Sequence, residues 1–475
     1  MHRLLCFLVL LLAGSAAAAE SAESWMSVVV DGRKVGSVHA MREVAGNEVT
    51  NTQTLRLVFE RDGTRMEMLS TETNVETTQG EPLAFHVDNH LSGSASTIDG
   101  KRQEDGRFRI RRTIGGHSTD TIETWPAGAL LAEGQQRALM QSGLRPGSSV
   151  SFNAYGTLSA QALHVTRTVQ TREHVTLPGG EEDLLRIESV TRLPVGETRS
   201  TSWVNDAGET RKLRMQVAGI TLDMLACSQA CAEAPEQAAD IFTRSMVVLP
   251  RALKPGERVG RLRYHVVSLD DEPLYFRNTD EQRVTNDRRG GWRIEVGAAN
   301  ARRLPPPAAE DTAANAWLEA GNAEIIAAAR KAVAGARDDA GRMRRLTDFV
   351  RTHIETKNLS VGYATALETL RSREGDCTEH AVLLAALARA VGIPARIATG
   401  LAYAPAYAGT QHVLVPHAWV IAWVDGHWHS HDAALGRFDA GHIAIDVGDG
   451  DPWKFFSGID TLGRLRIDAV RALDH

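Results

Sequence analysis

The sequence predicts an α+β protein: an N-terminal antiparallel β region, folded as a large sheet or an open barrel, then a helical segment that returns to β structure. Three observations carry this. From Trp25 to about Val217 apolar and polar residues alternate, the period of a half-buried strand. From Thr312 the period becomes that of an amphipathic helix. After Gly392-Ile-Pro-Ala-Arg396 alternation resumes, in Ile397 to Tyr403, His417 to Val424 and His427 to Asp432.

The elements follow in order. Met26, Val28 and Val30 alternate into Asp31-Gly32, a tight-turn signal. Leu55, Leu57 and Phe59 do the same before Asp62-Gly63. Phe108 and Ile110 alternate with Arg107, Arg109 and Arg111, which read as a solvated face. A short helix fits near Gly128 to Ser142, and Leu213, Met215 and Val217 close the run. A second β segment spans about 246–300. In it Leu253-Lys-Pro-Gly-Glu-Arg-Val259 echoes Leu144-Arg-Pro-Gly-Ser-Ser-Val150, and both read as a Pro-Gly turn feeding a strand. Pro305-Pro306-Pro307 marks a seam. Ile325, Ile326, Ala329 and Val333 share one helix face; Met343, Leu346, Val350 and Ile354 share the next, capped by Asp338 or Asp339. Thr365 and Glu368 have capping-box spacing for a short helix, which Gly375 can end. Cys377 to Val391 is a third strong helix.

The chain has 475 residues and a formal charge of −6, with 43% hydrophobic and 24% charged residues. That length accommodates about three domains. There is no basic excess to suggest nucleic-acid binding and no apolar run long enough for a stable membrane span. Met1-His2-Arg3, the apolar run Leu4 to Ala13 and Ala17-Ala18-Ala19 have the layout of a cleavable signal peptide, which predicts a periplasmic or secreted protein. The expected organisation is a signal peptide at 1–19, an N-terminal antiparallel β domain at 20–222, a connector and second β segment at 223–304, and a C-terminal α+β domain at 305–475. Beyond the signal peptide lie three cysteines, Cys227, Cys231 and Cys377. Cys227 and Cys231 have one residue too many between them for the usual redox pair, and no second half of a zinc site is near, so a structural disulfide is expected. Cys377 is then the odd thiol.

Cys377 follows Gly375-Asp376 at a helix start, where backbone N–H groups and the helix dipole favour an anion. The same N–H groups are candidate donors to an oxyanion. A cysteine nucleophile needs a base, and His417 opens the strand His417-Ala-Trp-Val-Ile. Asp432 ends the next strand. Asp425-Gly426 joins the two strands as a tight turn, and the midpoint of 417 and 432 falls there, so antiparallel pairing is expected to set His417 beside Asp432.

Gly375-Asp-Cys-Thr-Glu-His380, Arg389-Ala-Val-Gly-Ile-Pro-Ala-Arg396, His417-Ala-Trp419, Trp428 and Asp432 together resemble the transglutaminase-like superfamily of papain-like thiol enzymes, in its bacterial, exported members. The resemblance covers about 310–440. It implies a helix carrying the nucleophile Cys377, packed on a small antiparallel sheet that carries the base His417 and the orienting carboxylate Asp432. It implies acyl transfer from a peptide or protein amide through a thioester on Cys377, with water or an amine as acceptor. No cofactor is implied. The expected partner is a peptide or protein of the cell envelope, with a partner protein for the N-terminal β domain as a further expectation.

Trp419 shares a strand face with His417 and, with Tyr363, is a candidate for the substrate pocket. Two other functions compete. One is a non-catalytic envelope binding protein on the same fold, in which Cys377 is unreactive. The other is a metal-dependent hydrolase using His427, His429 and His431, which alternate on one strand face. No acidic calcium loop is present.

Overall fold

The computed structural model describes residues 21–473 apart from 62–63, 92–93, 159, 194–196, 218–219, 238, 241–244, 270–273, 288–290, 298–303, 358–363 and 451–460. The expected signal peptide and Tyr363 lie outside the described residues. The chain divides into two compact units, 1–240 and 241–475.

The first unit is built on one large sheet of 16 strands, antiparallel but for two short parallel additions, as the alternation predicts. Neighbours in sequence pair as hairpins from Ser21–Val30 out to His117–Glu123, and again from Ser149–Gly156 to Ile220–Cys227. The two runs join where Ser21–Val30 pairs with Ile220–Cys227, Trp25 opposite Cys227. Met26, Val28, Val38, Leu55, Met68 and Met224 line the buried face. The helix Ala132–Gln141 falls inside the predicted stretch. Its first turn meets a polar row on that same face. Glu76 accepts the Glu133 and Gly134 N–H groups at 2.6 and 3.0 Å, and Arg42 forks onto the Glu133 carboxylate at 2.9 and 3.0 Å. Burial pushes Glu72 up to about 7 and Glu76 up to about 8. Arg107, Arg109 and Arg111 are exposed, and Arg111 forks onto Asp120.

Cys227 ends its strand, and Cys231 lies in the single turn Gln229–Ala232, capped by Ser228. Both thiols are free and share a hydrogen bond; burial and the neighbouring Cys231 push the Cys227 thiol up to about 12.

The second unit holds two antiparallel sheets and the longer run of helices. Gln282–Asn286, Trp292–Val296, Arg261–Ser268 and Leu465–Leu473 form one sheet in that order. The other runs Val247–Val248, Thr410–Val424, Ala395–Tyr407, His442–Gly448, with His427–His431 paired to Thr410–Val424. The sheets share one core, in which Leu262, Tyr264 and Ile294 meet Leu401, Leu414 and Ile443. The turn before Gln282 also closes the edges of the second sheet. Asp280 accepts the Trp428 N–H at 3.0 Å, Glu281 accepts the Ser430 N–H at 2.9 Å, and Gln282 bonds both backbone groups of Ala444. Side chains thus satisfy donors that an open sheet edge leaves unpaired.

Four main helices complete this unit: Ala323–Ala332, Asp339–His353, Ala366–Ser372 and Cys377–Ala390. Asn322, Asp338, Thr365 and Asp376 cap them through side-chain oxygens. Two local expectations need correction. The helix Ala366–Ser372 ends at Arg373 in the left-handed conformation, not at Gly375. Pro255–Val259 forms one helical turn rather than a Pro-Gly turn alone, because Pro sits at its start and Glu257 reaches back to the Lys254 N–H. Among the described residues, no helix is long and apolar enough to cross a membrane.

Candidate active site

Cys377 is the first residue of a helix that is buried on every side from Thr378 to Arg389. Three carboxylate contacts fix that helix start. Asp376 Oδ1 accepts the Thr378 N–H at 2.7 Å. Glu379 accepts the Asp376 N–H at 2.8 Å and the Ala364 N–H at 3.1 Å. Burial, then the nearby Asp376 charge, drives the Glu379 carboxyl well above its ordinary range. Gly375 sits at φ +149°, and a Cβ there would run into the Glu379 side chain. The residues flanking Cys377 therefore build the turn that presents the thiol. Cys377 itself is half-buried.

His417 lies on the strand Thr410–Val424, opposite Gly400. Its Nε2 donates to Asp432 Oδ2 at 2.8 Å, and Cys377 lies near enough to raise the proton affinity of the ring. With Nε2 engaged, Nδ1 is the nitrogen left for sulfur. Burial would push His417 down, but the charges of Asp432 and Cys377 outweigh it and hold the imidazole at about 10. Asp432 is almost fully buried, yet His417 and His442 hold it well below the usual carboxylate range. Its second oxygen accepts the Ala434 and Leu435 N–H groups at 2.8 and 2.9 Å. Both oxygens are thus saturated with donors.

The route by which Asp432 reaches His417 differs from the expected one. Asp425 and Gly426, at φ 52° and 79°, form a two-residue turn that sets Val424 opposite His427 and Val420 opposite His431. Continued pairing would put residue 434, not 432, opposite His417. The strand instead ends at His431, and the turn capped by Asp432 Oδ1 swings its Oδ2 onto the imidazole.

Sequence reasoning missed His442. Its Nε2 lies 3.0 Å from the same Asp432 oxygen. It begins the strand His442–Gly448, which flanks Ala395–Tyr407 on the side away from His417. Gly400 lets these strands approach, since a Cβ there would strike the Ile443 carbonyl. The only local signal was a histidine opening a short apolar run, His442-Ile-Ala-Ile. Trp419 is buried in the core and donates to Ser430 Oγ at 3.2 Å; its ring packs edge-on to His442 at 5.3 Å. Arg396 forks onto Asp311 at 2.7 Å and lies over Trp428.

His427 and His429 point toward Asp280 and Glu281 at 3.6 and 4.0 Å, whereas burial pushes His431 down to about 4. Among the described residues, the group with metal-ligating atoms within 4.8 Å of one another is His417, Asp432 and His442. Two hydrogen bonds already account for that closeness.

Comparison with known proteins gives three kinds of finding. Residues 326–433 match the transglutaminase-like superfamily. No curated protein matches. Solved structures with some likeness include a candidate cysteine protease from Cytophaga hutchinsonii, 16% identical over 45% of this chain and 85% of that one, with a TM-score of 0.29. A β-barrel-like protein of unknown function from Brucella abortus is 9% identical over 43% and 95%, with a TM-score of 0.32. A candidate protease from Parabacteroides distasonis is 14% identical over 82% and 70%, with a TM-score of 0.21. Such low scores carry no functional argument. The family match spans Cys377, His417 and Asp432, and on it residues 326–433 of this chain are a domain of the transglutaminase-like superfamily.

Proposed function

We propose that the second unit is a thiol acyl-transfer enzyme acting on peptide or protein amides. The observation that supports it most is one imidazole, His417, bonded to Asp432 and raised in proton affinity by Cys377 beside it, at the start of a buried helix. In this reading the Cys377 sulfur attacks the amide carbonyl and His417 carries the proton. The Cys377 N–H is a candidate donor to the oxyanion. His417 then gives its proton to the departing amine, leaving a thioester on Cys377. Water or a second amine attacks that thioester, and His417 takes the incoming proton. Asp432 holds the ring in the required orientation. Export to the cell envelope and recognition of substrate or partner by the first unit belong to the same proposal.

The test is iodoacetamide labelling of Cys377 against pH, read by peptide mass spectrometry, together with ammonia or amine release from a peptide-amide library. Rapid labelling near neutral pH that collapses in His417→Ala, with release abolished in Cys377→Ala, is expected. Slow labelling that His417→Ala leaves unchanged favours a binding protein instead. Release that survives Cys377→Ala but stops with a chelator favours a metal-dependent hydrolase.

A further inference from the structure

We propose that His442 is a positioning residue of the thiol site: a second imidazolium, held between Asp432 and Asp439, that shares one Asp432 oxygen with His417 and limits how tightly that carboxylate holds the catalytic proton. This rests on the thiol-enzyme reading above.

His442 Nε2 lies 3.0 Å from Asp432 Oδ2, and Nδ1 lies 3.0 Å from the Asp439 carbonyl and 3.5 Å from Asp439 Oδ1. A carbonyl and an ionised carboxylate only accept, so Nε2 donates to Asp432, and the shorter of the two Nδ1 contacts, the one to the Asp439 carbonyl, calls for a second proton on the ring. The Asp439 N–H also donates toward Nδ1, at 3.4 Å; it competes with the 3.0 Å bond to the carbonyl and is the longer and weaker of the two, so the doubly protonated ring keeps the shorter bond and gives up the longer. Burial disfavours the charged ring, but hydrogen bonds to Asp432 and Asp439 outweigh it and hold His442 above the ordinary histidine range. Among the described residues, the charged groups facing it are Asp432, His417, Asp439 and Glu281. Arg258 backs Asp439 at 2.9 Å.

The consequence concerns His417. Its ring lies 5.7 Å from that of His442, and both donate to one oxygen. A like charge at that range lowers the proton affinity of each ring. Divided between two donors, Asp432 Oδ2 also holds His417 less tightly. That matters because His417 must release its proton to the leaving amine. His442 thus holds Asp432 ionised and in place while tempering its pull.

The experiment is the pH profile of Cys377 alkylation by iodoacetamide in the full chain, for wild type, His442→Gln, Asp439→Asn and His417→Ala. The upper inflection, where His417 loses its proton, should rise by about one pH unit in His442→Gln. That variant keeps an N–H for Asp432 but loses the charge. A smaller rise in the same direction is expected in Asp439→Asn, which weakens the hold on the His442 cation. An inflection that stays put or falls overturns the proposal. A merely structural histidine would change thermal stability without moving it. Should His442→Gln fail to fold, an unmoved inflection in Asp439→Asn overturns the proposal alone. A wild-type profile that His417→Ala leaves unchanged overturns the thiol-enzyme reading first, so the two failures are distinguishable.

Discussion

Asp432 illustrates how much one side chain can be asked to do. Its four contacts are all donors: two imidazole N–H groups on Oδ2 and two backbone N–H groups on Oδ1. An asparagine offers one accepting oxygen and an NH₂ group. Whichever way the amide is turned, two donors face donors. Asp432→Asn should therefore cost both catalysis and stability, although it is nearly isosteric. A loss of about 10³-fold or more in kcat is expected for an orienting carboxylate. The stripped buried donors should destabilise the unit by about 1–3 kcal/mol each. Parallel kinetics and thermal unfolding check this. An Asp432→Asn protein with unchanged melting and near-normal turnover would show that the carboxylate is dispensable.

The turn that presents Cys377 is the corresponding feature at the scale of an element. Gly375, Asp376 and Glu379 form an interlocked start to the helix. Gly375→Ala puts a Cβ into the Glu379 side chain at a backbone angle that L residues rarely adopt. We expect a loss exceeding about 1 kcal/mol and a lower alkylation rate at Cys377, measured by unfolding and labelling of one preparation. Normal stability and labelling would mean that the turn yields without cost. Such local devices were legible in the sequence, because Thr365 with Glu368 and Asp425 with Gly426 signal through their immediate neighbours. The α+β class was legible for the same reason, since period depends on adjacent residues. The pairing of Trp25 with Cys227 was not, because alternation does not state which distant strand is the partner. His442 was hidden likewise. Its contact with Asp432 arises only once the strand carrying Gly400 is known to lie between two histidine strands. The register error at Asp432 was smaller: the turn was read correctly, but the strand ends one residue before the aspartate.

At the scale of the whole molecule, both units bury titratable groups, and this predicts how stability follows pH. In the first unit, Glu72 and Glu76 hold protons up to about 7 and about 8 because burial disfavours their charged forms. Unfolded, each has an ordinary carboxyl pKa of about 4.3. Protons bind more tightly to the folded state, so their stabilisation is fully present below the unfolded value. It is lost as pH rises through the folded ones. In the second unit, His417 and His442 are also raised, the former to about 10, so their contribution is full below about 6.5 and fades at more alkaline pH. Asp432 runs the other way, and its contribution fades in acid. Within the first unit the neutral range should thus be felt most through Glu72 and Glu76; the second unit carries its own raised groups there, Glu281 at about 7, Glu379 and His417. Between about pH 5 and 8.5 the first unit should lose on the order of a few kcal/mol, seen calorimetrically as a falling unfolding transition. Glu72→Gln keeps an oxygen for the Asn74 amide, which donates to Glu72 at 3.0 Å, while removing the titration. That variant should flatten the pH dependence without abolishing it, leaving the part due to Glu76. Glu72→Gln with the wild-type slope would mean that Glu72 ionises freely inside the sheet, and that the buried polar row is more hydrated than its contacts indicate.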